Sequence, residues 1–388
     1  VGVTFEVLAP RKIIFGAHRA IEVAAWVSAS QREERVLLVT GKTKRHAHVI
    51  EALSACAEIT HIAVAHEPTL ALCEASLQVA RRAKVTRVVA LGGGSAIDLG
   101  KALAALITND GEVLDYLEVV GRGQPLRNAP LPFAALPTTS GTGAEATKNA
   151  VLSVKRPEGT VKVSLRSDAM VPDLALIDPA LTLDVPRDVT AATGLDALTQ
   201  VIEPYVSHAA TPFTDAWTRD AIPRAARALP RVLRDGNDLD ARSEMALVSL
   251  QGGLALANAK LGAVHGFAGP LGGMLEAPHG ALCARLLPFV IEANLHALSA
   301  RAPKSPAVAR YLEVARWLTG DPDALTGDAI DWTRQLVDSL AIPTLHDFGL
   351  DAKDIPRIAE QSARSSSMKG NPIELTHAEL IRILEAAY

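Results

Sequence analysis

Three cysteines in 388 residues, Cys56, Cys73 and Cys283, are too few, too scattered and the wrong parity for a disulfide framework. A reducing compartment is therefore the expectation. Charge of one sign is equally lacking. The chain carries 39 basic and 43 acidic side chains, a net charge of −4, and its bases gather in no long block. That excludes the electrostatic footprint of a nucleic-acid binder. No uninterrupted apolar run reaches the roughly 18 to 20 residues that cross a bilayer. The segment Val1-Gly-Val-Thr-Phe-Glu-Val7 lacks the basic and apolar regions of a signal peptide. Internal repeats and low-complexity tracts are missing too. These absences predict a cytoplasmic protein with neither nucleic acid nor membrane among its partners.

What is present is an ordinary globular composition, 48% hydrophobic and 21% charged, in a chain long enough for two cores. Up to about residue 180, short apolar runs alternate with helical patterns. Strands are expected over 36–40, 59–64, 85–91, 132–136 and 174–177, with an Ala-rich helix over 70–84. Strand and helix in alternation imply an α/β domain with a largely parallel sheet covered on both faces. After Asp178-Pro179 the strand signals almost vanish. Helices are expected over 190–203, 214–233, 240–258, 280–298, 306–319 and 326–339. A boundary near 179–186 follows, giving an α/β dinucleotide-binding domain over 1–180 and an all-α domain over 181–388.

The expected strand ending at Leu91 runs into Gly92-Gly93-Gly94-Ser95 and then into a helix. Such a turn offers backbone N–H groups at a positive helix end, and glycine lets a phosphate approach closely. A structural tight turn explains one such run equally well. A second segment, Pro137-Thr-Thr-Ser-Gly-Thr-Gly143, also follows a strand and adds hydroxyl donors. In open α/β sheets ligands sit beyond the strand carboxyl ends, so the pair points to a pyrophosphate site. After the strand at 36–40 comes Gly41-Lys42-Thr43-Lys44-Arg45, without the acidic residue that would hold a ribose 2′-hydroxyl and repel a 2′-phosphate. This favours NADP over NAD, or tolerance of both; a solvated basic loop is the plainer alternative.

Asp196 and Gln200 stand four apart in a helical pattern and project from nearly one face. His265 and His279 flank a Gly/Pro-rich segment. One carboxylate and two imidazoles suit Zn²⁺ or Fe²⁺ with an open position, and Gln200 adds a weaker, neutral oxygen. Among eleven histidines, most serve the surface or the packing.

Taken together, Gly92-Gly-Gly-Ser-Ala-Ile-Asp98, Pro137-Thr-Thr-Ser-Gly-Thr-Gly-Ala-Glu145, Asp178-Pro179, Thr193-Gly-Leu-Asp-Ala-Leu198 and Pro278-His-Gly280 resemble, in order, the iron-containing group III alcohol dehydrogenases of the dehydroquinate synthase-like fold. The resemblance covers nearly the whole chain. It implies a nucleotide-binding α/β domain, a helical domain and a metal in the cleft between them. It assigns Gly93, Gly94 and Ser95 to the pyrophosphate loop, Thr138, Thr139 and Thr142 to a second cofactor loop, Lys162 to the nicotinamide ribose and Leu181 to a further cofactor contact. Gly41 falls where NAD-preferring members often carry aspartate. Asp196, His265 and His279 match three metal ligands and would carry catalysis.

Two positions depart from the pattern: Gln200 stands where the second ligand is usually histidine, and Gly269 where another histidine lies near the reacting alcohol. The function implied is metal-assisted, NAD(P)-dependent hydride transfer between nicotinamide and a small alcohol, aldehyde or ketone. A homodimer is the expected assembly. Alternatives are a maleylacetate reductase-like keto-acid reductase, a dehydroquinate synthase-like lyase, and a non-catalytic cofactor-binding protein with a degenerate metal site.

Overall fold

A computed structural model describes every residue except 1–3, 31, 32, 43, 44, 158 and 276. Thr43 and Lys44 of the basic loop therefore lie outside the described residues. The chain divides into two compact units: Leu8–Val185, and Pro186–Tyr388 with the few residues that precede Leu8.

The first unit is built on eight strands: β1 (Lys12–Phe15), β2 (Arg35–Gly41), β3 (Glu58–Val64), β4 (Arg87–Gly92), β5 (Phe133–Pro137), β6 (Asn149–Arg156), β7 (Gly159–Arg166) and β8 (Leu174–Ile177). Six of them form one sheet in the order β1-β8-β5-β4-β2-β3, with every pairing parallel. Successive residues of a strand face opposite sides of a sheet. Accordingly Leu37, Val39, Val88 and Ala90 enter one core, and Val36, Leu38, Val89 and Leu91 the other. Burial on both faces explains why these strands read as continuous apolar runs. Helices α3 (Leu70–Arg82), α4 (Gly94–Ile107) and the short α5 (Val113–Tyr116) cover the first face; α1 (Glu22–Ser28) and α2 (Ala47–Ser54) cover the second.

The chain goes from β2 outward to β3, then returns to the other side of β2 as β4. That reversal is the topological switch point where α/β sheets bind ligands. Gly41, Gly92 and Pro137 end three adjacent strands there, with Thr40 opposite Leu91 and Gly92 opposite Pro137.

The five strands expected from sequence form. β1 and the antiparallel hairpin of β6 and β7 do not follow from the sequence pattern. β1 has four residues, too few for a period. In β6 the buried Ala150, Leu152 and Val154 alternate with Asn149, Val151, Ser153 and Lys155, a one-sided pattern easily read as a polar connection.

Among the described residues the second unit contains helices and no strands. They are α6 (Arg187–Val206), α7 (Pro212–Arg234), α8 (Leu239–Asn258), α9 (Ala263–Met274), α10 (His279–Arg301), α11 (Pro306–Thr319), α12 (Thr326–Ser339), α13 (Ile355–Ala363) and α14 (His377–Ala387). α10 is long and apolar enough to cross a membrane by length and composition. Its Leu282, Leu286, Leu287 and Ile291 are buried in the unit's core, which accounts for that character. α9 is the departure: the Gly/Pro-rich segment after His265 is helical despite Gly266, Gly269 and Pro270. Tertiary contacts outweigh its poor propensity. Val264 N–H donates to Glu203 Oε1 at 2.7 Å, and Ala263 N–H to Asn371 Oδ1 at 3.1 Å, so two buried side chains fasten its first turn.

Candidate metal centre and cofactor cradle

α6 is buried along most of its length, and it carries Asp196, Gln200 and Glu203 inward. α9 supplies His265. α10 begins at His279 and presents Cys283 one turn later. α10 approaches α6 so closely that a Cβ on Gly280 would collide with the Ala192 carbonyl oxygen and stand 3.2 Å from Asp196 Cβ. Glycine in Pro278-His279-Gly280 is thus what seats His279 beside Asp196.

Four donor atoms, from Asp196, His265, His279 and Cys283, lie within 4.8 Å of one another. Asp196 Oδ1 is 3.3 Å from His265 Nε2 and 3.9 Å from His279 Nε2. Glu203 Oε2 is 2.6 Å from His265 Nδ1. An ionised carboxylate can only accept, so Nδ1 carries its proton and, in the neutral imidazole, Nε2 turns a lone pair toward Asp196. Asp196 is 2% exposed and His265 7%, and neither Asp196 Oδ1 nor His265 Nε2 has a hydrogen-bond partner. Two buried acceptors facing each other at this distance repel unless a cation stands between them. The residues fit a divalent cation, with Glu203 orienting the imidazole from behind.

The protonation balance agrees. Burial pushes the Asp196 carboxyl up, but the imidazoles of His265 and His279 beside it outweigh that and hold it below the ordinary range. Burial likewise opposes charge on His265; the surrounding Cys283, Glu203 and Asp196 overcome that and raise it well above its usual value. His279 is raised for similar reasons, against burial, by Cys283 and Asp196. Without a metal, this cluster holds protons in its place.

Gln200 is buried four residues after Asp196, and its amide nitrogen lies against Gly252 of α8. Around Gly269 a Cβ would find nothing within 4 Å, so the missing side chain leaves open space.

In the α/β unit, the glycine run and the threonine loop are neighbours. A Cβ on Gly93 would stand 3.2 Å from Thr139 Oγ1, and one on Gly94 would stand 3.1 Å from Thr142 Oγ1. Thr138 N–H donates to the Gly92 carbonyl at 3.0 Å and holds the loops in register. Gly93 has φ −73°, and Gly94 and Ser95 open α4. These glycines are needed for room between two loops, not for a left-handed backbone. Gly143, at φ 59°, is the residue in the second loop that does take that conformation. Ser140 Oγ is buried without a partner in the same loop, a donor suited to a phosphate oxygen.

Lys101, fully buried on α4, ties the two segments together. Its Nζ donates to Ala144 O at 2.7 Å, Thr147 Oγ1 at 2.9 Å and Asn149 O at 2.9 Å. Burial lowers this lysine to about 8 and raises its neighbour Glu145 to about 7. Asp178 plays the matching role at the end of β8, accepting from the backbone N–H groups of His18, Ala20 and Ala180 at 2.8 to 2.9 Å.

Of the remaining candidates, Gly41 adjoins the glycine run, its backbone nitrogen 3.1 Å from where a Cβ on Gly92 would stand. Lys162, on β7, pairs with Glu67 at 2.5 Å. Leu181 is buried, its side chain in the core beneath α1 and α2. Gly41 ends β2 with open space around its Cβ position.

Cys283, Glu203 and Lys101 are the side chains that the sequence reading passed over. The signal for the first two was helical spacing: Cys283 follows His279 by four, and Glu203 follows Asp196 by seven, each on one helix face.

Loops that can cradle a dinucleotide and a buried cluster that can hold a divalent cation, on one chain, are the equipment of a metal-assisted dehydrogenase. Residues 10–179 match the iron-containing alcohol dehydrogenases, and residues 190–388 match the C-terminal part of the Fe-containing alcohol dehydrogenase family. The chain belongs to the iron-containing alcohol dehydrogenase family. It is 35% identical over 332 residues to long-chain-alcohol dehydrogenase 1 of Geobacillus thermodenitrificans, covering 84% of this chain and 80% of that one. A solved 1,3-propanediol oxidoreductase superposes with a TM-score of 0.89 at 32% identity, covering both chains fully. Sulfoacetaldehyde reductase from Bifidobacterium kashiwanohense, solved with NAD⁺, superposes with a TM-score of 0.86 at 27% identity, covering 100% of this chain and 99% of that one. The protein is thus an oxidoreductase acting on CH–OH groups, and the keto-acid reductase, lyase and non-catalytic alternatives are not favoured.

Proposed function

We propose that the chain interconverts small alcohols with their aldehydes or ketones, using NADP(H) at least as well as NAD(H), with Fe²⁺ or Zn²⁺ held by Asp196, His265 and His279. The observation that carries this is the unpartnered pair Asp196 Oδ1 and His265 Nε2, 3.3 Å apart, with the other nitrogen of His265 committed to Glu203. A divalent cation there supplies Lewis-acid stabilisation to an alcohol or carbonyl oxygen, while the nicotinamide carries the hydride. Glu203 fixes the tautomer and orientation of His265. Gly93, Gly94 and Ser95 offer backbone N–H groups to the pyrophosphate, and Thr138, Thr139 and Thr142 close over it. Lys162 and Leu181 are the proposed contacts of the nicotinamide half. Open space at Gly269 leaves the alcohol proton to pass to water. A cofactor-coupled screen of alcohols, aldehydes and keto acids tests the substrate class; turnover confined to keto acids would contradict it.

Cofactor choice turns on Gly41. Aspartate fits there without crowding, and its carboxylate would repel a 2′-phosphate. Gly41→Asp is expected to weaken NADPH binding by roughly tenfold or more while sparing NADH, since like charges at contact cost on the order of a kcal/mol or more. Fluorescence titrations of both cofactors decide it. Wild-type protein that binds NADH about tenfold more tightly than NADPH would contradict this reading of the loop.

Metal uptake should release protons. The imidazoles of His265 and His279 sit above their ordinary value of 6.5 in the metal-free cluster, and only the deprotonated nitrogens ligate. Affinity should therefore fall as pH drops through neutrality and rise above it. Calorimetric titration of Zn²⁺ in buffers of different ionisation enthalpy should give buffer-dependent heats; identical heats in all of them would show that no proton is displaced.

A further inference from the structure

Three ligands from Asp196, His265 and His279 leave a fourth position to be filled. Gln200 offers only a neutral amide, and its nitrogen lies against Gly252. Cys283 is fully buried on α10, one turn beyond His279, with its Sγ 3.7 Å from His279 Nε2. The same sulfur lies within 4.8 Å of the donor atoms of Asp196 and His265. We propose that Cys283, as a thiolate, is the fourth protein ligand of the metal in this chain, the substrate oxygen entering as a fifth. The inference rests on the reading of this cluster as a metal centre.

The distances carry it. Around a tetrahedral ion with bonds of about 2.0 to 2.1 Å to nitrogen and oxygen and about 2.3 Å to sulfur, donor atoms stand about 3.3 to 3.7 Å apart. The measured separations are 3.3 Å from Asp196 Oδ1 to His265 Nε2, 3.9 Å from Asp196 Oδ1 to His279 Nε2 and 3.7 Å from His279 Nε2 to Cys283 Sγ. Three of the polyhedron's six edges are thus nearly met, the other separations are within 4.8 Å, and two of the donors, nine-tenths buried or more, have no other partner.

A chemical consequence follows. Aspartate and thiolate together neutralise a divalent ion, where aspartate with neutral donors leaves one positive charge. Thiolate is a soft ligand, so this set prefers Zn²⁺, Fe²⁺ or Co²⁺ to the harder Mg²⁺ and Mn²⁺. Metal binding also withdraws Cys283 from alkylation, because the ligating sulfur is no longer a free nucleophile.

Co²⁺ reports the sulfur directly. Metal-free protein should take up one equivalent and develop an intense near-ultraviolet thiolate-to-cobalt charge-transfer band. Cys283→Ser should remove that band and weaken Co²⁺ binding by about tenfold or more. Peptide mapping of wild-type protein treated with iodoacetamide in denaturant, with and without a non-dissociating Co³⁺ formed in place, would show Cys283 protected only when metal is held, which keeps the test open if the variant does not fold. One equivalent of bound Co²⁺ without the band, or a band that survives in Cys283→Ser, would overturn the inference and leave the metal centre standing. Failure of the wild type to bind Co²⁺ at all would overturn both.

Discussion

His279→Ala is expected to remove the bound metal and to lower turnover by about a thousandfold, while cofactor affinity stays within about twofold of wild type. The imidazole stands 3.9 Å from Asp196 Oδ1 at the first residue of α10, in the helical unit, whereas the cofactor loops belong to the α/β unit. Lewis-acid stabilisation is worth several kcal/mol, and each 1.36 kcal/mol is a factor of about ten in rate. Pro278 is the cap of α10, so alanine at the first helical position is well tolerated, and Gly280, which seats α10 against α6, is untouched. Elemental analysis, steady-state rates and NADPH titration on the same preparation check the three parts together. A variant that lost cofactor binding along with metal would show that the substitution had unsettled the fold, not the centre.

Gly94→Val is expected to weaken cofactor binding by roughly a hundredfold or more. Its Cβ would stand 3.1 Å from Thr142 Oγ1, and its branch would push into the space between the two loops. Losing two hydrogen bonds to a charged phosphate, at about 1.5 to 3 kcal/mol each, reaches that size. Gly94 is already helical and has a negative φ, so the damage comes from volume and not from backbone strain. The helical unit should keep its metal content. Unchanged affinity in a fluorescence titration would reduce the glycine run to a tight turn.

Much of this was legible because α/β strands buried on both faces announce themselves. Val36–Val39 and Val88–Leu91 are continuous apolar runs closed by Gly41 and Gly92, so a parallel sheet and the loops beyond its strand ends could be placed from the pattern of apolar runs, whereas the strand order that sets the switch point could not. The hairpin of β6 and β7 was not, since Ala150, Leu152 and Val154 bury one face only and the other side reads as polar loop. α9 was hidden for a different reason. Its own residues do not favour a helix, and the side chains that fasten its first turn, Glu203 and Asn371, are 61 and 108 residues away in the chain. In the candidate centre, Asp196, His265 and His279 were found by residue type and resemblance. Cys283 does not stand out by count, since three scattered cysteines exclude a disulfide framework and say nothing more. Its spacing of four from His279 was the same signal that linked Gln200 to Asp196.

The most direct measurement is turnover by wild-type protein stripped thoroughly of metal, then reloaded with one equivalent of Fe²⁺ or Zn²⁺, with metal content determined at each stage. The buried Asp196 and His265, with the partly exposed His279, predict activity about a thousandfold lower in the stripped protein, restored in proportion to metal bound. Full activity in protein containing no metal would contradict that, and would mean that hydride transfer in this chain proceeds without a Lewis acid.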